Sequence, residues 1–177
     1  AERLRDISRE ELAGMLVENA DEPYAEEIAE AVTEKIRKGG KIETTTGLHQ
    51  VIGEALVFIP EKERKEAIRK SSQRVFQALR IDVNHEFEVL YDFLDKLPGV
   101  LKPGGKVAIL TFHSGEDRLV KNFLKTGNFE GKCEQDFFGN VRSPFRLVNN
   151  KVIVPTDEEV ERNPRSRSAK LRIAEKV

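Results

Sequence analysis

Residues Gly99 to Leu124, GVLKPGGKVAILTFHSGEDRLVKNFL, constrain this chain more than any other stretch. Lys106 to Phe112 is rich in Val, Ile, Leu and Phe and opens after Pro103-Gly104-Gly105, the pattern of a buried strand entered through a tight turn. A polar knot, His113-Ser114-Gly115-Glu116-Asp117-Arg118, follows at once, and Leu119, Val120, Phe123 and Leu124 then recur at helical spacing. The knot is expected at the carboxyl end of a strand and the start of a helix. Ligands bind at such places in open α/β sheets, because helix N-termini present unsatisfied backbone N–H groups. An ordinary βα loop capped by Ser114 accounts for the same residues.

The chain of 177 residues has room for one domain or one and a half. A net charge of −1 with 34% charged residues gives no overall basic field, so any nucleic-acid binding must come from local patches, and DNA is not expected. Cys133 is the single cysteine, which excludes an internal disulfide framework and Cys-rich zinc sites; a reducing cytoplasm is the expected compartment, and no metal is expected. No apolar run approaches the roughly 20 residues of a membrane span, and no signal-peptide pattern opens the chain. The first residue is Ala1 rather than Met, which suggests a trimmed fragment.

Residues 1–70 read as a run of helices. Ser8 and Glu11 form a capping box ahead of Leu12, Met15 and Leu16. Asp21 is expected to cap a second helix, with Pro23 in its first turn and Ala25, Ile28, Ala29, Val32 and Ile36 on one face up to Gly39-Gly40. A third segment, from Thr44 through Leu48, Val51, Ile52, Ala55 and Leu56, ends at Pro60. Glu61 to Lys70 interleaves acids and bases as a solvated helix face does. From Ser71, the spacing of Val75, Phe76, Leu79, Val83, Phe87, Leu90 and Leu94 predicts one long helix through Lys96, with Gln77, Arg80 and Asn84 together on a polar edge.

After the knot, Gly127, Gly131, Gly139 and Pro144 break the periodicity. Phe129, Phe137, Phe138 and Phe145, interleaved with Lys132, Arg142 and Arg146, either pin this segment to the core or stack on single-stranded RNA. Arg146 to Val154 reads as two short strands joined at Asn149-Asn150. Thr156 and Glu159 make a second capping box, and Asn163-Pro164 ends that helix. A last strand alternates Leu171 and Ile173 with Lys170, Arg172 and Ala174, preceded by Arg165 and Arg167 in its leading loop. Four cations within eight residues suit either a phosphate backbone or a protected edge strand.

LKPGGKVAILTFHSGEDRLVK, with RVFQALRIDVNHEFEVL and NPRSRSAKLRIAEK, resembles the bacterial RsmH/MraW family, S-adenosylmethionine-dependent methyltransferases of a cytosine N4 amino group in small-subunit ribosomal RNA. The knot departs from the family pattern at Gly115, where Leu is usual, which would loosen the loop. The resemblance implies an α/β fold, namely an incomplete class I (Rossmann-like) methyltransferase sheet with about four strands in residues 71–177, preceded by an all-helical, insertion-like region in residues 1–70. It implies that Asn84, His113 and Ser114 line the target-base pocket. Gln77 and Arg80 would contact substrate, Glu116, Asp117 and Arg118 would fix the knot, and Arg165, Arg167, Lys170 and Arg172 would hold RNA. The implied cofactor is S-adenosylmethionine and the implied partner ribosomal RNA or the small subunit. No strand followed by a glycine-rich loop occurs in the chain, and Gly104-Gly105 precede their strand, so a cofactor cradle is not expected here. The reading is therefore of the C-terminal part of such an enzyme, excised or working beside a separate cofactor-binding half. A non-catalytic RNA-binding or ribosome-associated module, and a scaffold that pairs with itself as a homodimer, are the alternatives.

Overall fold

A computed structural model describes residues 1–133, 135, 137, 143–149 and 151–177. Several of its helices begin at a short polar side chain that caps them. Ser8 Oγ accepts the Glu11 N–H at 3.1 Å to open α2 (Arg9–Ala20), after a short α1 (Glu2–Asp6). Thr44 Oγ1 likewise accepts the Gly47 N–H at 3.0 Å to open α4 (Thr45–Ala55). Between them α3 (Ala25–Arg37) starts after Tyr24. The expected cap, Asp21, instead closes α2 in a left-handed conformation (φ 48°), where a short polar side chain is among the few that fit. Gly39, at φ 82°, follows the end of α3.

α5 (Glu61–Asn84) is continuous across residue 70, where a division of the chain was expected. Nor does the helix run on to Lys96. His85 adopts φ 53° and separates α5 from α6 (Glu86–Val100), a break hidden by apolar spacing that stays in phase across it. The chain forms two compact units that divide at this break, Ala1–Glu86 and Phe87–Val177. In the first, α2 packs on α3 and α5, and α4 on α3 and α5, around Leu12, Leu16, Ile28, Val32, Ile52, Leu56 and Val75. Glu22 is buried here, accepting hydrogen bonds from Ser71 Oγ at 2.8 Å and the Tyr24 N–H at 3.2 Å.

In the second unit the described residues form a sheet of three strands rather than four. Its order is β1 (Lys106–Thr111), β3 (Lys170–Lys176), β2 (Phe145–Leu147), with both pairings antiparallel. β1 runs from Lys106 opposite Glu175 to Thr111 opposite Lys170. The expected two-strand hairpin does not form among the described residues: β2 and the single bridge at Ile153 each pair with β3 rather than with each other, and Asn150 lies outside the described residues. α6 and α7 (Ser114–Thr126) bury Leu94, Leu97, Val120, Phe123 and Leu124 with Val107, Ile109, Phe145 and Ala174 of the sheet. The opposite side chains of β1 point away from that core, and Leu110 stays 53% exposed. Phe129 stacks on Phe123 at 5.0 Å and meets Tyr91 edge to face at 4.6 Å, so it and Phe145 pin the irregular segment. Phe138, Gly139 and Arg142 lie outside the described residues. α8 (Asp157–Arg162) is capped by Thr156 as expected, and Pro164–Ser168 form a 3₁₀ turn.

Candidate substrate site

The knot is a closed cap. His113, rather than Ser114, is the N-cap of α7: its Nδ1 accepts the Glu116 N–H at 3.4 Å, while the Glu116 carboxylate accepts the N–H groups of Phe112 at 2.9 Å and His113 at 3.3 Å. An Nδ1 that accepts carries no proton, so the neutral ring holds its hydrogen on Nε2, 3.5 Å from Glu116 Oε1. Imidazole is not among the usual capping side chains, which is why composition pointed to Ser114. Ser114 is left exposed at the first turn, at the carboxyl end of β1.

Gly115 does not loosen this turn. It is buried in α7, and a Cβ there would come within 2.8 Å of Phe87 Cζ and 3.2 Å of His113 Nδ1. The Phe87 ring occupies that space and meets the His113 ring edge to face, with centroids 5.8 Å apart. Phe87, counted from sequence only as a core position of the long helix, is therefore a wall of the site.

Asp117 is buried and clamped. Arg172 Nε donates to its Oδ1 at 2.6 Å and Arg172 Nη2 to Oδ2 at 3.1 Å, and Lys170 Nζ donates to Oδ2 at 3.2 Å. Burial pushes the Asp117 carboxyl up, but the hydrogen bonds and charges of Arg172 and Lys170 outweigh it and hold the group below its ordinary value. This ion cluster ties α7 to β3 across 55 residues of sequence. The Arg172 side chain is only 12% exposed and is engaged by Asp117, whereas Lys170 is 38% exposed. Arg165 and Arg167 flank buried Ser166, whose Oγ donates to the Asn163 carbonyl at 2.8 Å, and both arginines point into solvent without an ion pair among the described residues. Arg118 is also exposed.

Gln77, Arg80 and Asn84 belong to the first unit. Gln77 Nε2 donates to the Asn19 carbonyl at 3.4 Å, docking α5 on α2. Arg80 Nε and Asn84 Nδ2 both donate to Glu86 Oε1, at 2.9 and 3.1 Å. Glu86 was missed from sequence; its signal is its place just after the left-handed His85, two residues beyond Asn84.

The knot does not fit the methionine end of S-adenosylmethionine. That group needs a glycine-rich turn between strand and helix, and here the turn is filled by the His113–Glu116 cap and by Phe87 over Gly115. What the site offers is the exposed Ser114 hydroxyl and the Phe87 ring at a strand end, over a His113 ring that is only 9% exposed.

Residues 1–177 match the model of the MraW methylase family. The chain is 56% identical over 174 residues to ribosomal RNA small subunit methyltransferase H 1 of Agathobacter rectalis, covering 98% of this chain and 46% of that protein. It is 56% identical over 177 residues to the protein of the same name from Lachnoclostridium phytofermentans, covering 100% of this chain and 45% of that one. Ribosomal RNA small subunit methyltransferase H of Parabacteroides distasonis is 65% identical over 147 residues, 83% of this chain and 46% of that protein. The chain thus spans about half the length of the curated relatives it matches. No helix among the described residues is long and apolar enough to cross a membrane. With the family pattern matched from the first helix to the last strand, and the conjunction of knot, cap and ion cluster in place, the chain belongs to the MraW methylase family.

Proposed function

We propose that this chain is the substrate-facing part of a small-subunit ribosomal RNA methyltransferase that acts on a cytosine N4 amino group, and that S-adenosylmethionine is held by residues outside it. The observation that carries this is the closed His113–Glu116 cap, which buries the His113 ring and leaves Ser114 exposed at the carboxyl end of β1. In this reading the Ser114 hydroxyl orients the base by its Watson–Crick edge, the His113 ring lines the floor beneath it, and Phe87 walls the pocket, so that the exocyclic amine is fixed in one direction. Glu116 and Asp117 keep the cap rigid and take no part in proton transfer. Arg165 and Arg167, exposed on their 3₁₀ turn, hold phosphates, while Arg172 serves the clamp on Asp117.

The test is anisotropy with a fluorescein-labelled single-stranded cytidine oligonucleotide, beside calorimetric titration with S-adenosylmethionine. Wild-type chain should bind the RNA, and Arg165→Gln with Arg167→Gln should weaken it and lower its salt slope by about 1.4, at about 0.7 per lost phosphate contact. Ser114→Ala should erase a preference for cytidine over uridine oligonucleotides. The chain alone should give no heat with S-adenosylmethionine. Stoichiometric cofactor binding would overturn the division of roles, and a chain without affinity for RNA would overturn the reading.

A second reading, self-association, is favoured by one observation: β1 is an edge strand with Leu110 and Phe112 more than half exposed. A strictly monomeric protein in gel filtration at high concentration would remove it.

A further inference from the structure

The outer face of α7 differs in charge pattern from the other helices. Its exposed positions Ser114, Arg118, Lys121 and Lys125 fall at spacings of four, three and four residues, one stripe along the helix, while Asp117, Leu119, Val120, Phe123 and Leu124 face the core. Both acids of the helix are withdrawn from that stripe: Glu116 closes the cap and Asp117 is clamped by Arg172 and Lys170. Lys121 and Lys125 make no ion pair among the described residues.

On α3, α5 and α6 several exposed cations pair with an acid of their own helix, although Lys62 and Lys65 of α5 make no ion pair among the described residues. Glu34 pairs with Lys38 at 2.8 Å, Glu66 with Arg69 at 2.6 Å and Lys70 at 3.4 Å, and Asp92 with Lys96 at 2.8 Å. The carboxyls of Glu34 and Glu66 are pulled below their ordinary range by these partners, that of Glu66 to about 2. Helix stabilisation accounts for only part of the α7 stripe: Lys125, in the last turn, suits the negative end of the helix dipole, but Lys121 lies before that turn, where the dipole adds little. The unit that carries the stripe has 16 Lys and Arg against 13 Asp and Glu, so its background favours anions as well.

Resting on the function proposed above, we propose that the outer face of α7 is a track for the phosphate backbone of single-stranded RNA, with Lys121 and Lys125 as its two main contacts and Arg118 at its knot end. The stripe extends for about 16 Å from Ser114, at about 1.5 Å per residue. A strand whose base enters at Ser114 has its neighbouring phosphates carried along it. The track reads no sequence, since flexible ammonium groups meet phosphate as point charges; it sets the direction in which the strand leaves the pocket.

The experiment is a salt titration of the 177-residue chain with a fluorescein-labelled single-stranded oligocytidine, comparing wild type with the double variant Lys121→Gln, Lys125→Gln. The double variant should lower the slope of log K against log salt by about 1.4, twice the roughly 0.7 expected per phosphate, whatever the base sequence. Reversal at both sites, Lys121→Glu with Lys125→Glu, should weaken binding further, and far-UV circular dichroism of each variant confirms that α7 is kept. The control removes two equally exposed lysines of the same unit, Lys102→Gln with Lys106→Gln, and should retain more of the slope than the α7 pair. Wild-type affinity and slope in the α7 variants would overturn the track and leave the proposed function standing. An equal loss in the control would overturn its location. Equal binding of polyglutamate would overturn RNA as the partner, and a wild-type chain without RNA affinity would overturn track and function together.

Discussion

At the scale of single residues, the site is held by two arrangements that no local pattern discloses. Asp117 and Arg172 lie 55 positions apart, and from sequence Arg172 was grouped with the phosphate-binding cations because only the strand pairing brings it to Asp117. Replacing Asp117 by Asn leaves a nearly buried guanidinium without its counter-charge and should cost about 3 kcal/mol in urea unfolding. The pH dependence has a definite sign. Because the folded carboxyl is held below its ordinary value, its contribution is complete above the unfolded value of about 4 and is lost as pH falls through the lower folded one. Stability of the wild type should therefore fall more steeply than that of Asp117→Asn as acid is added below about pH 4. Gly115 and Phe87 make the second arrangement. A methyl group at 115 meets the ring at 2.8 Å, so Gly115→Ala should destabilise the wild type by about 1 kcal/mol or more. In a Phe87→Leu background the same change should become neutral or stabilising, since relief of the clash leaves only the helix preference for Ala. Additive effects in that double-mutant cycle would contradict the contact.

At the scale of elements, capping was legible where one short polar side chain and one acid three residues on decide it, as at Ser8 and Thr156. It failed where the cap was a histidine at 113, or where Asp21 served the end of one helix rather than the start of the next. The break at His85 was invisible because Val83, Phe87 and Leu90 keep one period across it. α6 ends in another way the sequence hides. Its last turn carries Pro98 and no cation, and the Lys176 ammonium reaches over from β3 to the carbonyls of Leu101, at 2.8 Å, and Pro98. Those two acceptors take the place of a local cap. Lys176→Met keeps the aliphatic stem and removes the donor, so it should cost about 1–3 kcal/mol in thermal or urea unfolding. Arg146→Met, which removes an exposed pair with Glu175, should cost under about 1 kcal/mol. Equal costs would mean that the Lys176 contacts add nothing beyond a surface ion pair.

At the scale of the whole molecule, the helical first unit and the α/β character of the second were readable because apolar periodicity changes from helical spacing to a short continuous run at Lys106–Phe112. The size of the sheet was not, since β2 and the Ile153 bridge join β3 through pairings that depend on which edge is free. β3 is central, β2 is three residues long, and among the described residues no strand pairs with the outer edge of β1. A six-residue strand with Val107, Ala108, Ile109 and Leu110 in sequence and one lysine at its start is poorly protected against pairing. The prediction is that the proposed cofactor-holding part attaches at that edge, because strand pairing would satisfy the outward N–H and C=O groups of β1 and cover Leu110 together. Hydrogen exchange checks this directly. In the chain alone, the outward amides of β1 should exchange much faster than those bonded to β3. Adding a glycine-rich cofactor-binding segment from one of the full-length relatives should slow the outward set at least tenfold and leave α3 and α4 unchanged. Slowing spread evenly over the chain would indicate general stabilisation instead. No slowing at β1, with the segment shown to bind, would place the attachment elsewhere and remove the edge from the assembly of the enzyme.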